Sequence, residues 1–201
     1  TFDSRRRNAF LSRDDARRVG ESIRQLFFEA RSALPRRVVI HKRTEFRRDE
    51  REGLIEGLAG VDEVDMIEIL VDDAFRYVNS KLVSGKVQVD GFPVARGTVI
   101  PTSDNEALLW VHGSAAAIRN NWRYYQGKRR IPAPLLIRRH AGSTDLHTIA
   151  TEVLGLSKMN WNSFDLYTQL PATIETSGQI ARIGRLMEGY GEASYDYRML
   201  M

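Results

Sequence analysis

The sequence predicts an α/β fold with a mixed central sheet flanked by helices. Three observations predict it. Two apolar strand signals, at 37–42 and 65–71, enclose a helical segment, a spacing that favours a βαβ unit with parallel strands. The middle of the chain changes to short strands with an Asp90-Gly91 turn signal, which favours an antiparallel hairpin. Helical periodicity then returns in the last third.

Each element follows from its residues. Ser12 with Asp15 reads as an N-cap and acidic first turn. Val19, Ile23, Leu26, Phe27, Ala30, Ala33 and Leu34 recur at helical spacing, so a helix is expected over 13–33, stopped by Pro35. Arg37 to Lys42 is a short buried strand that runs into the basic cluster His41-Lys42-Arg43. Asp49 to Leu58 is a second helix, ended near Gly60. Asp65 to Val71 alternates and then turns apolar, as a second strand does. Lys86 to Val89 and Phe92 to Ile100 form the expected hairpin, and Glu106 to His112 a further strand. Arg130 to Ile137 is extended, and its prolines argue for an edge or for the approach to a strand. Ser143 to Leu156 reads as a helix capped by Ser143, with Ile149, Val153 and Leu156 inward. Ala172 to Met187 is the final helix, and the apolar tail SYDYRMLM suggests a docked C-terminus.

Composition narrows the function. Apolar residues make up 42% and charged residues 28% of the 201, enough apolar material for a core rather than disorder. Lys plus Arg exceeds Asp plus Glu by only 4. The cations are mostly Arg and they cluster, as in Arg5-Arg6-Arg7, Arg47-Arg48, Lys128-Arg129-Arg130 and Arg138-Arg139. Arg pairs well with phosphate, so a polyanionic partner is favoured, although clustered Arg is also commonly just a solvated surface. The absence of Cys excludes disulfides, cysteine zinc sites and thiol nucleophiles. No apolar run approaches the roughly 18 residues of a membrane span, and no signal peptide opens the chain. The start TFDSRRRNAF lacks an initiator Met and is expected to fall inside a longer protein.

Catalytic motifs are scarce. His41, His112, His140 and His147 show no metal-ligand spacing. There is no GxSxG nucleophile elbow and no GxxxxGK[ST] phosphate loop; Gly53-Leu-Ile-Glu-Gly57 belongs inside a helix. The acids between Asp62 and Asp73 read as a solvated face, although Asp72-Asp73 could bind a cation. Nucleic-acid contacts are better represented. Lys158, Asn160 and Asn162 in KMNWN suit phosphate and sugar, while Trp161 serves as a stacking platform or a core plug. Gly178, Arg182 and Arg185 share one stripe of the last helix. That stripe admits a close anion, or else is solvent-facing with a tight helix crossing at the glycine.

The run RIPAPLLIRRH from Arg130 to His140, a helix, LSKMNWN from Leu156 to Asn162, and LPATI from Leu170 to Ile174 leading into the last helix stand in a specific order. This order resembles the C-terminal half of the PIWI domain of prokaryotic Argonaute proteins, from about Phe10 to Met201. The resemblance implies an RNase H-like PIWI fold, present as a partial domain. Residues 1–201 would be its C-terminal part, with the MID domain and first PIWI strands upstream. It implies guide-directed binding of a nucleic-acid target in a prokaryotic cytoplasm.

The resemblance also implies which chemistry is missing. Active members hold divalent metal with carboxylates. One essential Asp position falls on Arg43 and the last ligand position on Gly178; the family glutamate lacks a clear counterpart, Asp14 and Asp15 being nearest. A non-slicing, short type is therefore expected. It would bind guide RNA or DNA and complementary target DNA, and signal to a Sir2, TIR or nuclease effector in defence against invading DNA. Lys158, Asn160, Asn162, Arg182, Arg185, Arg43 and Arg138 are the candidate nucleic-acid contacts. The terminal carboxylate of Met201 would share a Mg²⁺ with the guide 5′-phosphate. The alternatives are an active RNase H-type nuclease using acids such as Asp72 and Asp73, or mainly an effector-docking scaffold.

Overall fold

Ser12 starts the first helix as expected: its Oγ accepts from Asp15 N and donates to Asp15 Oδ2 at 2.7 Å. The computed structural model of the chain describes residues 2–3, 8–90, 93–116, 123–124, 131–159 and 168–186. It divides into two units, residues 1–69 with 138–145 and residues 70–137 with 146–201.

In the first unit a two-residue ladder, β1 (Phe2–Asp3) with β2 (Asn8–Ala9), precedes α1 (Arg13–Arg31). Ser32 adopts a left-handed conformation (φ 53°) at the helix end, ahead of Pro35. β3 (Arg37–Lys42), α2 (Arg48–Gly57) and β4 (Glu63–Val71) follow. β3 and β4 pair in parallel from Arg37↔Glu63 to Lys42↔Glu68, which completes the expected βαβ unit. Ile40, Val64 and Met66 pack with Ala16, Phe46, Leu54 and Ala141 in one core cluster.

Small residues let α1 and α2 touch backbone to backbone. A Cβ at Gly57 would lie 2.2 Å from Arg17 O, and one at Gly53 2.2 Å from Arg13 O. The Gly53-xxx-Gly57 spacing is thus a helix-crossing face, not a phosphate loop. Exposed ion pairs frame the crossing, Arg13 with Glu52 and Glu56, and Arg48 with Glu52. The Arg13 hydrogen bond holds the Glu56 carboxyl below its ordinary pKa, and the Arg48 hydrogen bond does the same for Glu52.

The apolar stripe of α1 departs from the usual inward placement. Its buried residues are Ala16 and Gly20, whereas Val19, Leu26 and Phe27 are exposed, Leu26 by 65%, as is Leu34 beyond the helix end. The crossing with α2 selects the small residues, and the large ones project elsewhere.

The second unit contains β5 (Ser80–Val83), β6 (Lys86–Val89), β7 (Val99–Ser103), β8 (Glu106–Leu109), β9 (Ala115–Ala116), β10 (Arg123–Tyr124), α3 (Leu146–Leu156) and α4 (Ala172–Leu186). Strand β11 (Leu135–Ala141) contributes to both units, as does the end of β4. The hydrogen-bonded order β3-β4-β11-β8-β7 makes a five-stranded mixed sheet, since β7 and β8 are antiparallel.

One expectation is corrected here. The hairpin pairs β5 with β6 through Ser84 (φ 50°) and Gly85 (φ 75°), not β6 with a strand beyond Asp90-Gly91. Two positive-φ residues make the tight turn whose twist matches a two-residue hairpin, and Ser84-Gly85 supplies them. Of the two readings of the prolines before β11, an edge or the approach to a strand, the second holds: β11 lies between β4 and β8. Pro132 and Pro134 precede it, where no ladder N–H is needed. Pro101 sits on β7, which does end the sheet order, beside a register shift. Trp110 is buried against Val94 and Leu108 and donates from Nε1 to Pro132 O at 3.2 Å. Ile149 and Val153 of α3 are buried as expected, while Leu156 is half-buried and Ser143 binds Glu63 rather than capping the helix.

Candidate nucleic-acid interface

The β3 strand ends where its charge begins, and the three basic residues part company there. His41 is half-buried. Lys42 turns inward: Nζ donates to both oxygens of Glu50, at 2.7 and 2.8 Å, and to Glu45 O at 3.2 Å. It lies 4.7 Å from the Phe10 ring centroid and 5.3 Å from that of Phe46. Arg43 alone projects into solvent, with no hydrogen-bond or ion-pair partner among the described residues.

Glu50 organises the surroundings of that loop. It is 2% exposed and sits in the first turn of α2. Its Oε2 accepts from Arg47 N at 3.0 Å, the acidic half of a capping box, and its Oε1 from Leu11 N at 2.9 Å. Arg47 stacks over Phe10 at 3.7 Å. Phe46 is buried in the core cluster and meets the His140 ring at 5.6 Å.

The acids of β4 are not the solvated face that their alternation suggested. Asp65 is 0% and Glu68 4% exposed. Asp65 Oδ2 accepts from Arg37 Nε at 2.7 Å and from the Thr144 hydroxyl at 2.6 Å. Glu68 Oε2 accepts from Arg138 Nη1 at 2.9 Å and lies 2.8 Å from His140 Nε2. Isolated carboxylates buried this deeply would be costly, and each is offset by a matched cation. Gly142 (φ +101°) makes the Asp65 contact possible, because a Cβ there would lie 1.9 Å from Asp65 Oδ1.

The remaining sequence candidates divide plainly. Arg138 is 37% exposed and engaged with Glu68. In the second unit Lys158 and Arg182 are exposed, and their side chains have no partner among the described residues. Gly178 is exposed on α4, and a Cβ added there would meet nothing within 4 Å. The Arg185 side chain, Asn160, Trp161, Asn162 and Met201 lie outside the described residues. Asp72 accepts from Ala74 N at 2.8 Å and Asp73 pairs with Arg76 at 3.3 Å.

Among the described residues no three acidic or histidine side chains form a group able to hold a metal ion. Arg43 and Gly178 are the positions that the sequence resemblance assigns to metal ligands; an arginine side chain does not coordinate a metal ion and glycine has none, so neither would hold one. Sequence reasoning missed Glu50, Asp65, Glu68, Phe10 and Phe46. The signal for Glu50 was its place in the first turn of a helix, and for Asp65 and Glu68 their place in a strand with apolar neighbours on both sides.

No protein-family profile matches the chain, and a search of curated proteins finds no match. Solved structures do match. Clostridium butyricum Argonaute, bound to a guide DNA and a 19-mer target DNA, is similar with a TM-score of 0.63 at 15% identity, over 87% of this chain and 21% of that one. Aa-Ago with externally bound siRNA is similar with a TM-score of 0.55 at 19% identity, over 92% and 22%. The chain therefore spans about a fifth of the length of these proteins. Among the described residues no helix is long and apolar enough to cross a membrane. The chain has the mixed α/β fold of the corresponding PIWI-like segment of prokaryotic Argonautes.

Proposed function

We propose that this chain is the C-terminal PIWI part of a non-slicing Argonaute that binds a guide and its complementary target. One observation carries the reading. Around β3 the buried carboxylates Glu50, Asp65 and Glu68 are paired with Lys42, Arg37 and Arg138, while Arg43, just past the strand's end, stands exposed without a partner among the described residues. Such a strand end presents positive charge and withholds metal ligands. Lys158 and Arg182 are exposed cations of the same character in the second unit. Response to invading DNA would then pass to an associated effector of Sir2, TIR or nuclease type. The Mg²⁺ at the guide 5′-phosphate, shared with Met201, belongs to the same proposal.

The test is binding of a labelled guide–target duplex across a salt series, by anisotropy, alongside incubation with Mg²⁺ or Mn²⁺. Each phosphate contact contributes about 0.7–0.9 to the slope of log K against log salt. Arg43→Ala and Arg182→Ala should each lower the slope by about that amount, with no cutting by the parent chain. Salt-independent binding would overturn the interface. Metal-dependent cutting abolished by one carboxylate substitution would overturn the non-slicing assignment.

A further inference from the structure

We infer that Glu50 is a positioning residue for the polyanion contact of Arg43, acting with Lys42 as a lock on the β3–α2 loop; the inference rests on the nucleic-acid reading above. The loop from Arg43 to Arg47 is short and fastened at both ends. At the start, Lys42 Nζ reaches forward to Glu45 O and across to Glu50. At the end, Phe46 is 5% exposed in the core and Arg47 N donates to Glu50 Oε2. Glu50 also takes Leu11 N from the segment that leads into α1. One carboxylate therefore ties three segments around the only loop residue whose side chain is an exposed, unpartnered cation among the described residues.

The charge arrangement explains why a lock is needed. Lys42 and Arg43 are adjacent cations. Without Glu50, Lys42 would be left half-buried between two aromatic rings with no counter-charge, and water would offer a better site. Lys42 would then swing out and the loop would follow. With Glu50 in place, one cation is held inside and the other is presented outside at a fixed place. A preordered guanidinium loses less freedom on meeting a phosphate than one on a loose loop.

The experiment is a double-mutant cycle on duplex binding with the full chain, using Arg43→Ala, Glu50→Gln and their combination. Lys42→Gln/Glu50→Gln is a second background that removes both buried charges, in case Glu50→Gln alone does not fold. Circular dichroism confirms folding at the assay temperature. The expected result is that Glu50→Gln weakens binding several-fold and that Arg43→Ala then has less than half its effect on log K in either altered background. Its effect on the salt slope should shrink in parallel. An undiminished Arg43→Ala effect in both backgrounds would overturn the positioning role while leaving the nucleic-acid reading intact. If Arg43→Ala has no effect in the parent chain, the nucleic-acid reading at this loop fails, and the positioning role fails with it.

Discussion

Replacing Gly53 by Ala tests the helix crossing directly. The new Cβ would lie 2.2 Å from Arg13 O and 2.9 Å from Ala16 Cβ. Backbone cannot swing aside as a side chain can, so α1 and α2 must move apart. Overfilling a packed contact costs about 1–3 kcal/mol, and the better helix propensity of Ala returns about 1 kcal/mol. A net loss of about 0–2 kcal/mol is expected. Gly178→Ala is the matched control, because nothing lies within 4 Å of its Cβ position. It should stabilise α4 by about 0.8–1 kcal/mol. Urea titrations followed by far-UV circular dichroism read both. The sign separates them, and for a chain of this size each kcal/mol moves Tm by about 2–4 °C. A Gly53→Ala as stabilising as Gly178→Ala would refute backbone contact between the helices.

Two further outcomes follow from exposure and charge. Leu26→Ser should change stability by no more than about 0.5 kcal/mol, since Leu26 is 65% exposed; a loss of about 2 kcal/mol or more, as for a buried leucine, would show the stripe to be covered. Glu56 and Glu52 have depressed pKa values in the folded chain, from the Arg13 and Arg48 hydrogen bonds. Their stabilisation is present above the ordinary value of 4.5 and is lost as pH falls through the folded values. Glu56→Gln should therefore flatten the acid limb of a stability–pH curve, modestly because the pair is exposed; an unchanged limb would contradict the ion-pair assignment.

The βαβ unit was legible because β3 and β4 carry β-branched and apolar runs of the right length around a periodic helix. The Ser12 cap was legible for the same local reason. The hairpin was misread because Asp90-Gly91 is a stronger turn signal than Ser84-Gly85, although the latter supplies both positive-φ residues. The α1 stripe was misleading, since periodicity reports amphipathicity and not which neighbour the helix meets. Two glycines on α2 chose Ala16 and Gly20 instead. At the candidate site Arg43 was identifiable at the end of its strand. Glu50, Glu68 and Asp65 were not, because a charge in a sequence says nothing of its partner until the fold brings Lys42 to the start of α2 and strand pairing brings Arg138 and Arg37 to β4.

The paired charges around β3 set up a practical separation. Concentrated salt screens exposed charges within a few ångströms and reaches shielded pairs far less. Arg43, Lys158 and Arg182 stand in the first class, and Glu50–Lys42, Asp65–Arg37 and Glu68–Arg138 in the second. A high-salt wash should strip nucleic acid from the chain and leave the polypeptide folded. Ionic strength would thus act as a release control for cargo without acting as a denaturant.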